Sequence, residues 1–193
     1  MKKKILIAPD FYMEETSREA TRLRERLAVS GYEVTVAKIG KSLYDTLDKT
    51  EEEYICSEPD LIVSLGLGCL LIGQFCNADR LMINPDYSLS KLAKEKMDEY
   101  KKVLDLPEIE NGDAYLIGYA EASRMYEESM MLENPDICLK GKGKVLGIFS
   151  ENFSDEESTQ AYMERFGAYK VIPALDTGLT SSIDKIIEEI KEF

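Results

Sequence analysis

The sequence predicts an α/β fold, a three-layer α/β/α sandwich around a mostly parallel sheet. Short apolar or β-branched runs alternate with helical patterns almost from end to end. Strands separated in this way pair in parallel and take helices on both faces. The 193 residues, 44% of them hydrophobic, suffice for one sizeable core. No internal repeat, low-complexity linker or composition break divides the chain, so residues 1–193 read as a single domain.

Lys4–Ala8 is an apolar run stopped by Pro9 and Asp10, the pattern of a buried first strand. Thr16 to Val29 carries Ala20, Leu23 and Leu27 at helical spacing and stops at Ser30-Gly31. Glu33–Ile39, rich in β-branched residues, reads as the second strand, and Leu43, Leu47 and Tyr54-Ile55 mark a second helix. Asp60–Leu65 is the clearest strand; Gly66-Leu67-Gly68 turns it into an apolar, buried helix over Cys69–Cys76. Arg80–Asn84 is strand four, closed by Pro85, and 88–104 is amphipathic helix. Tyr115–Tyr119 reads as a strand and Ala120 to Leu132 as a Met- and Glu-rich helix, with 105–143 bracketing a lid-like insertion. Lys144–Ser150 is a further strand. A helix follows over Asp155–Phe166 with Ser154 as its cap, then the last strand over Tyr169–Ala174. Ser182 to Phe193 closes the chain as a helix with Ile183, Ile186, Ile187 and Ile190 on one face.

Composition removes several chemistries. The chain has no histidine, which excludes His-dependent acid–base catalysis, Ser-His and Cys-His nucleophile systems, and imidazole ligation of metals. Its 24 Lys and Arg against 37 Asp and Glu leave a net charge of −13, which repels phosphate; no nucleic acid partner is expected. Cys56, Cys69, Cys76 and Cys138 show no metal-ligand spacing, so no metal and no cofactor are expected. Only Ile5 to Ala8 follow the basic Lys2–Lys4, fewer than the roughly 7–15 apolar residues of a signal peptide, and no run approaches a membrane span. The cysteines therefore read as reduced thiols in a cytoplasmic protein without membrane attachment.

The turn after strand three carries the most information. A strand running into a tight turn and a buried helix, with small residues two before and two after the central position, is the nucleophile-elbow pattern. Ser64 and Gly68 supply the small flanks; Gly66 stands where the nucleophile would be. From Asp60 to about Tyr87, through this turn, the Asp79-Arg80 pair and Ile83-Asn84-Pro85, the chain resembles the α/β-hydrolase superfamily, and within it the small YqiA/YcfP-like esterase-related proteins.

The resemblance implies further positions. The loop after strand one, which helps form the family's oxyanion hole, reads Pro9-Asp10-Phe11, and a carboxylate there opposes a developing negative charge. The acid position falls on Glu151 or Asp155, both also ordinary surface carboxylates, and the histidine position on Gly178. The expectation is a degenerate, non-catalytic member whose candidate pocket lies at Asp10, Phe11, Ser64, Gly66, Leu67 and Gly178. Such a protein would bind a small molecule or a protein partner. The alternatives are a hydrolase of ester-type bonds with non-standard groups, Cys69 as thiolate among them, and a homo-oligomer joined through residues 115–132. Tyr115, Tyr119, Met125, Tyr126, Met130 and Met131 fit an adaptable groove, or more simply a helix face packed on the sheet. The bare glycine turn could also hold an anion on backbone N–H groups.

Overall fold

The computed structural model describes residues 2–10, 14–75, 77–134, 141–153, 155–167, 169–172 and 182–193. Among the described residues six strands, β1 (Lys4–Ala8), β2 (Glu33–Val36), β3 (Leu61–Leu65), β4 (Arg80–Ile83), β5 (Val145–Ser150) and β6 (Tyr169–Ile172), form one parallel sheet. Its order is β2-β1-β3-β4-β5-β6. The chain's direction of winding reverses between β1 and β3. The register pairs Ala8 with Ser64 and Leu65 with Ile83, so the ends of β1, β3 and β4 converge at one edge.

The helices among the described residues are α1 (Glu14–Val29), α2 (Leu43–Ser57), α3 (Gly68–Ile72), α4 (Leu89–Leu104), α5 (Gly112–Glu133), α6 (Glu156–Phe166) and, after the last strand, α7 (Ile183–Glu192). Their ends follow local chemistry. At the end of α1, Tyr32 N–H donates to Leu27 O and Gly31 N–H to Ala28 O, with Gly31 at φ +97°, a Schellman stop. The Ser42 hydroxyl caps α2 by accepting from Asp45 N–H at 3.1 Å.

Alternation along the buried strands divides the core. Ile5, Ile7, Leu61, Val63, Leu65, Leu81, Ile83 and Ile148 face Leu23 and Leu27 of α1 and Ile186 and Ile190 of α7. On the other face Ala8, Ile62, Met82 and Phe149 meet Cys69 and Ile72 of α3 and Tyr162 of α6. A leucine layer (Leu43, Leu47, Leu67, Leu70, Leu71, Leu89 and Leu132) joins α2, α3, α4 and α5. Each such side chain contributes roughly 1.5–3 kcal/mol through burial.

Four expectations are corrected. Tyr115–Tyr119 is not a strand but part of the continuous helix α5, which pairs with α4; the Tyr100 ring lies where a Cβ on Gly118 would stand, 2.5 Å from its Cζ, so the two helices meet through that glycine. The methionine-rich stripe is core only in part: Met125 packs against the leucine layer, whereas Met130 and Met131 are half exposed. Helix α3 ends at Ile72, well short of Cys76. The cap of α6 is Asp155, whose carboxylate accepts from Ser158 N–H at 3.2 Å, and Ser154 lies outside the described residues.

Candidate functional site

Gly66 occupies the bend between β3 and α3 with φ +51°, a left-handed conformation that costs an L side chain roughly 1–2 kcal/mol. Its N–H donates to Ile83 O at 3.0 Å, and its carbonyl accepts from Cys69 N–H at 3.1 Å and Asp86 N–H at 3.2 Å. Gly68 is needed for a second reason: a Cβ there would stand 2.5 Å from Pro9 O and 2.6 Å from Ala8 O. The start of α3 therefore presses directly on the backbone leaving β1.

Asn84 ties the same edge together from the other side. At φ +45° it donates from its N–H to Ile148 O and accepts from Ser150 N–H at 2.8 Å on Oδ1. Asp86, two residues on, accepts from Ser88 N–H at 2.8 Å and Ser88 Oγ at 2.6 Å.

The space above Gly66 is filled. A Cβ built on Gly66 would lie 2.8 Å from Asp10 Cγ and 3.3 Å from Asp10 Cβ, with the carboxylate oxygen nearer still. The carboxylate of the loop after β1 thus occupies the volume that an elbow side chain would take. With Asp86 beside the turn as well, the local field is negative, the reverse of what a developing oxyanion needs. The N–H groups of Cys69 and Leu70 are bonded to Gly66 O and Leu67 O, and α3 spans only five residues. Those two N–H groups are thus engaged within the turn itself.

Cys69 is wholly buried, its Sγ 3.0 Å from Ser64 Oγ. Burial pushes its thiol up, out of the range of a reactive thiolate; the hydrogen bond from Ser64 pulls the other way, and the charges of Asp10 and Asp86 add to the rise. A Cys69 nucleophile is therefore corrected to a core residue. Ser64 and Leu67 are also buried, Leu67 within the leucine layer. Of the candidate pocket residues, Asp10 and Gly66 are brought into contact and keep some exposure. Phe11 and Gly178 lie outside the described residues. Glu151 follows β5 directly and is exposed, whereas Asp155 is spent as a cap, accepting from Ser158 Oγ at 2.6 Å. Among the described residues no cluster of three or more Cys, Asp or Glu is placed to hold a metal ion, and no helix is long and apolar enough to cross a membrane.

A cavity of about 380 Å³ opens beside this edge, between the loop entering α2 and the α4–α5 pair. Thr46, Tyr100, Met125 and the largely buried Glu128 line it, with Lys41 and Arg124 at its walls. Leu43 and Leu89 line it too, and they pack with Leu67 in one layer, which connects the cavity to the turn. Of these residues only Met125 belongs to a sequence pattern that fits a groove; the pairing of α4 with α5 against α2 brings the rest to it.

Comparison of the whole structure with solved structures decides the architecture. The chain superposes over its full length on one of two metagenome-derived lipolytic enzymes, LipS and LipT, with TM-score 0.65, 12% identity and 94% of that chain covered. The fold is that of the α/β-hydrolases. A thioesterase domain from the curacin biosynthetic pathway is similar with TM-score 0.59 and 10% identity, over 98% of this chain and 91% of the other. The bottromycin epimerase BotH is similar with TM-score 0.57 and 9% identity, over 100% and 90%. No protein-family model matches the sequence, and no curated protein matches it. An α/β-hydrolase fold carries activity in its site residues, not in its layers.

Proposed function

We propose that this chain is a non-catalytic protein on the α/β-hydrolase fold that binds a small ligand at the C-terminal edge of its sheet. The observation that carries this reading is the Asp10 carboxylate standing over Gly66, in the volume of the missing nucleophile. With no histidine in the chain, no group of the usual kind can move a proton to or from an attacking atom there. The cavity between α2 and the α4–α5 pair supports a binding role, since it is of the size of small-molecule pockets and mixes apolar walls with a few charged groups. In this reading α4 and α5, inserted between β4 and β5, act as the lid over that space. The similarity to BotH supports separating fold from hydrolysis, because that protein is described as an epimerase.

The test is turnover of a panel of short-chain acyl esters and thioesters by the purified protein. Rates equal to the buffer blank support the proposal. Turnover that persists in Cys69→Ala but disappears in Asp10→Asn overturns it.

A second reading has its own observation. Leu116 and Ile117 on α5 are more than half exposed, which favours contact with another chain, a second copy included. Light scattering at high concentration tests this: an oligomer dispersed by Ile117→Glu supports it, and a monomer throughout removes it.

A further inference from the structure

A different cavity, of about 460 Å³, lies between α6 and the β5–β6 edge of the sheet. The pairing of Phe149 with Val171 and of Gly147 with Tyr169 brings aromatic and apolar side chains of two strands onto the face that α6 covers. Phe149 forms the floor. Phe153 stands at 61° to it with centroids 5.3 Å apart, and Tyr169 at 71° with centroids 5.0 Å apart. Phe153 and Tyr169, each set steeply to Phe149, line one cavity with it. Its remaining walls are Val171 and Met163, both half exposed, and its polar groups include Glu151 and Glu156. Among the described residues every charged one that lines it is acidic, and neither glutamate has an ion-pair partner there.

Aromatic faces carry negative electrostatic potential and attract a cation within about 6 Å, more so when it is weakly hydrated and methylated. Carboxylates at the rim add attraction without the desolvation cost of a buried acid. A neutral apolar ligand would gain nothing from Glu151 and Glu156, and an anion would be repelled by both, as by the chain's net charge of −13. We propose that this cavity binds a small organic cation, a methylated or alkyl ammonium group, with Phe149, Phe153 and Tyr169 as its cage and Glu151 and Glu156 as its counter-charge. This site stands apart from the Gly66 turn and does not rest on the turn being inactive. It also gives Glu151 a use in a chain without a histidine for it to orient.

The experiment is an amide-resolved NMR titration of the full chain with choline and, in parallel, with 3,3-dimethylbutan-1-ol, which has the same shape without the charge. The proposal expects saturable shifts at Phe153, Tyr169 and Val171 with choline, and binding of the alcohol at least about tenfold weaker. Phe153→Leu and Glu151→Gln, both at partly exposed positions, each weaken choline roughly two- to thirtyfold while leaving the rest of the spectrum in place. A short peptide bearing trimethyllysine separates the two sources of such a group. Shifts extending beyond the cavity with tighter binding identify a partner chain, and equal binding confined to the cavity identifies a free molecule. Equal affinity for choline and the alcohol overturns the proposal, as does the absence of shifts in this cavity at high-millimolar choline.

Discussion

The carboxylate of Asp10 lies against Gly66, so that a Cβ on the glycine would come within 2.8 Å of Asp10 Cγ. Two residues 56 positions apart are thereby made mutually exclusive in size, and their substitutions must be coupled. Gly66→Ala carries both the left-handed φ and the overlap, about 3 kcal/mol together. Adding Asp10→Gly removes the overlap and recovers ~1–2 kcal/mol, although Asp10→Gly by itself gives no such gain. Urea unfolding of the four proteins of this double-mutant cycle measures the coupling.

Gly68 and Gly112 predict opposite outcomes for the same substitution. At Gly68 the new methyl would meet backbone oxygens at 2.5 and 2.6 Å, which cannot turn aside, so Gly68→Ala costs about 3 kcal/mol or prevents folding. At Gly112, the first residue of α5, the nearest atom is Ile109 Cγ2 at 3.6 Å, and Gly112→Ala stabilises by about 0.5 kcal/mol. Thermal unfolding midpoints moving in opposite directions check the pair.

Thiol labelling separates Cys69 from Cys56. Cys56 is exposed on α2 and reacts with a mild disulfide reagent in the native protein. Cys69 is buried with its thiol pushed upward, and reacts only as the molecule unfolds. Peptide mapping after timed labelling reads this directly.

Glu133 supplies a pH dependence. Its carboxylate accepts from Ser90 N–H at 2.9 Å at the start of α4 and also from Ser90 Oγ, yet burial raises its pKa above the usual glutamate value against those bonds and the charge of Arg165. An acid whose folded pKa is raised binds its proton more tightly in the folded state. Its stabilising contribution is therefore complete below the unfolded value near 4.5 and is lost as pH rises through the higher folded pKa. The stability of the wild type relative to Glu133→Gln should fall from pH 4 to pH 7, as measured by urea titration at each pH.

The parts legible in the sequence were those governed by local pattern. Asp60–Leu65 announced a buried strand because both faces are apolar, and Gly66 and Gly68 announced the bend because only glycine meets its φ and its close approach. Tyr115–Tyr119 has the aromatic and β-branched content of a strand, whereas the packing of Tyr100 onto Gly118 holds that stretch helical. Met130 and Met131 have the spacing of a packed face, yet α5 turns them half outward. The seating of Asp10 on Gly66, and the meeting of Phe149, Phe153 and Tyr169, depend on strand register across long stretches of chain. No local signal carries that.

On the proposed reading, no attacking group stands at the strand-to-helix bend. That reading is tested most directly by incubating the native protein with an organophosphonate ester and with an activated acyl ester, then measuring intact mass. The expected result with both reagents is no stoichiometric adduct on Asp10 or between Asp60 and Tyr87, with at most scattered acylation of exposed groups such as Cys56 and surface lysines. A single stoichiometric adduct mapping to Asp10 or to a residue between Asp60 and Tyr87 would contradict it.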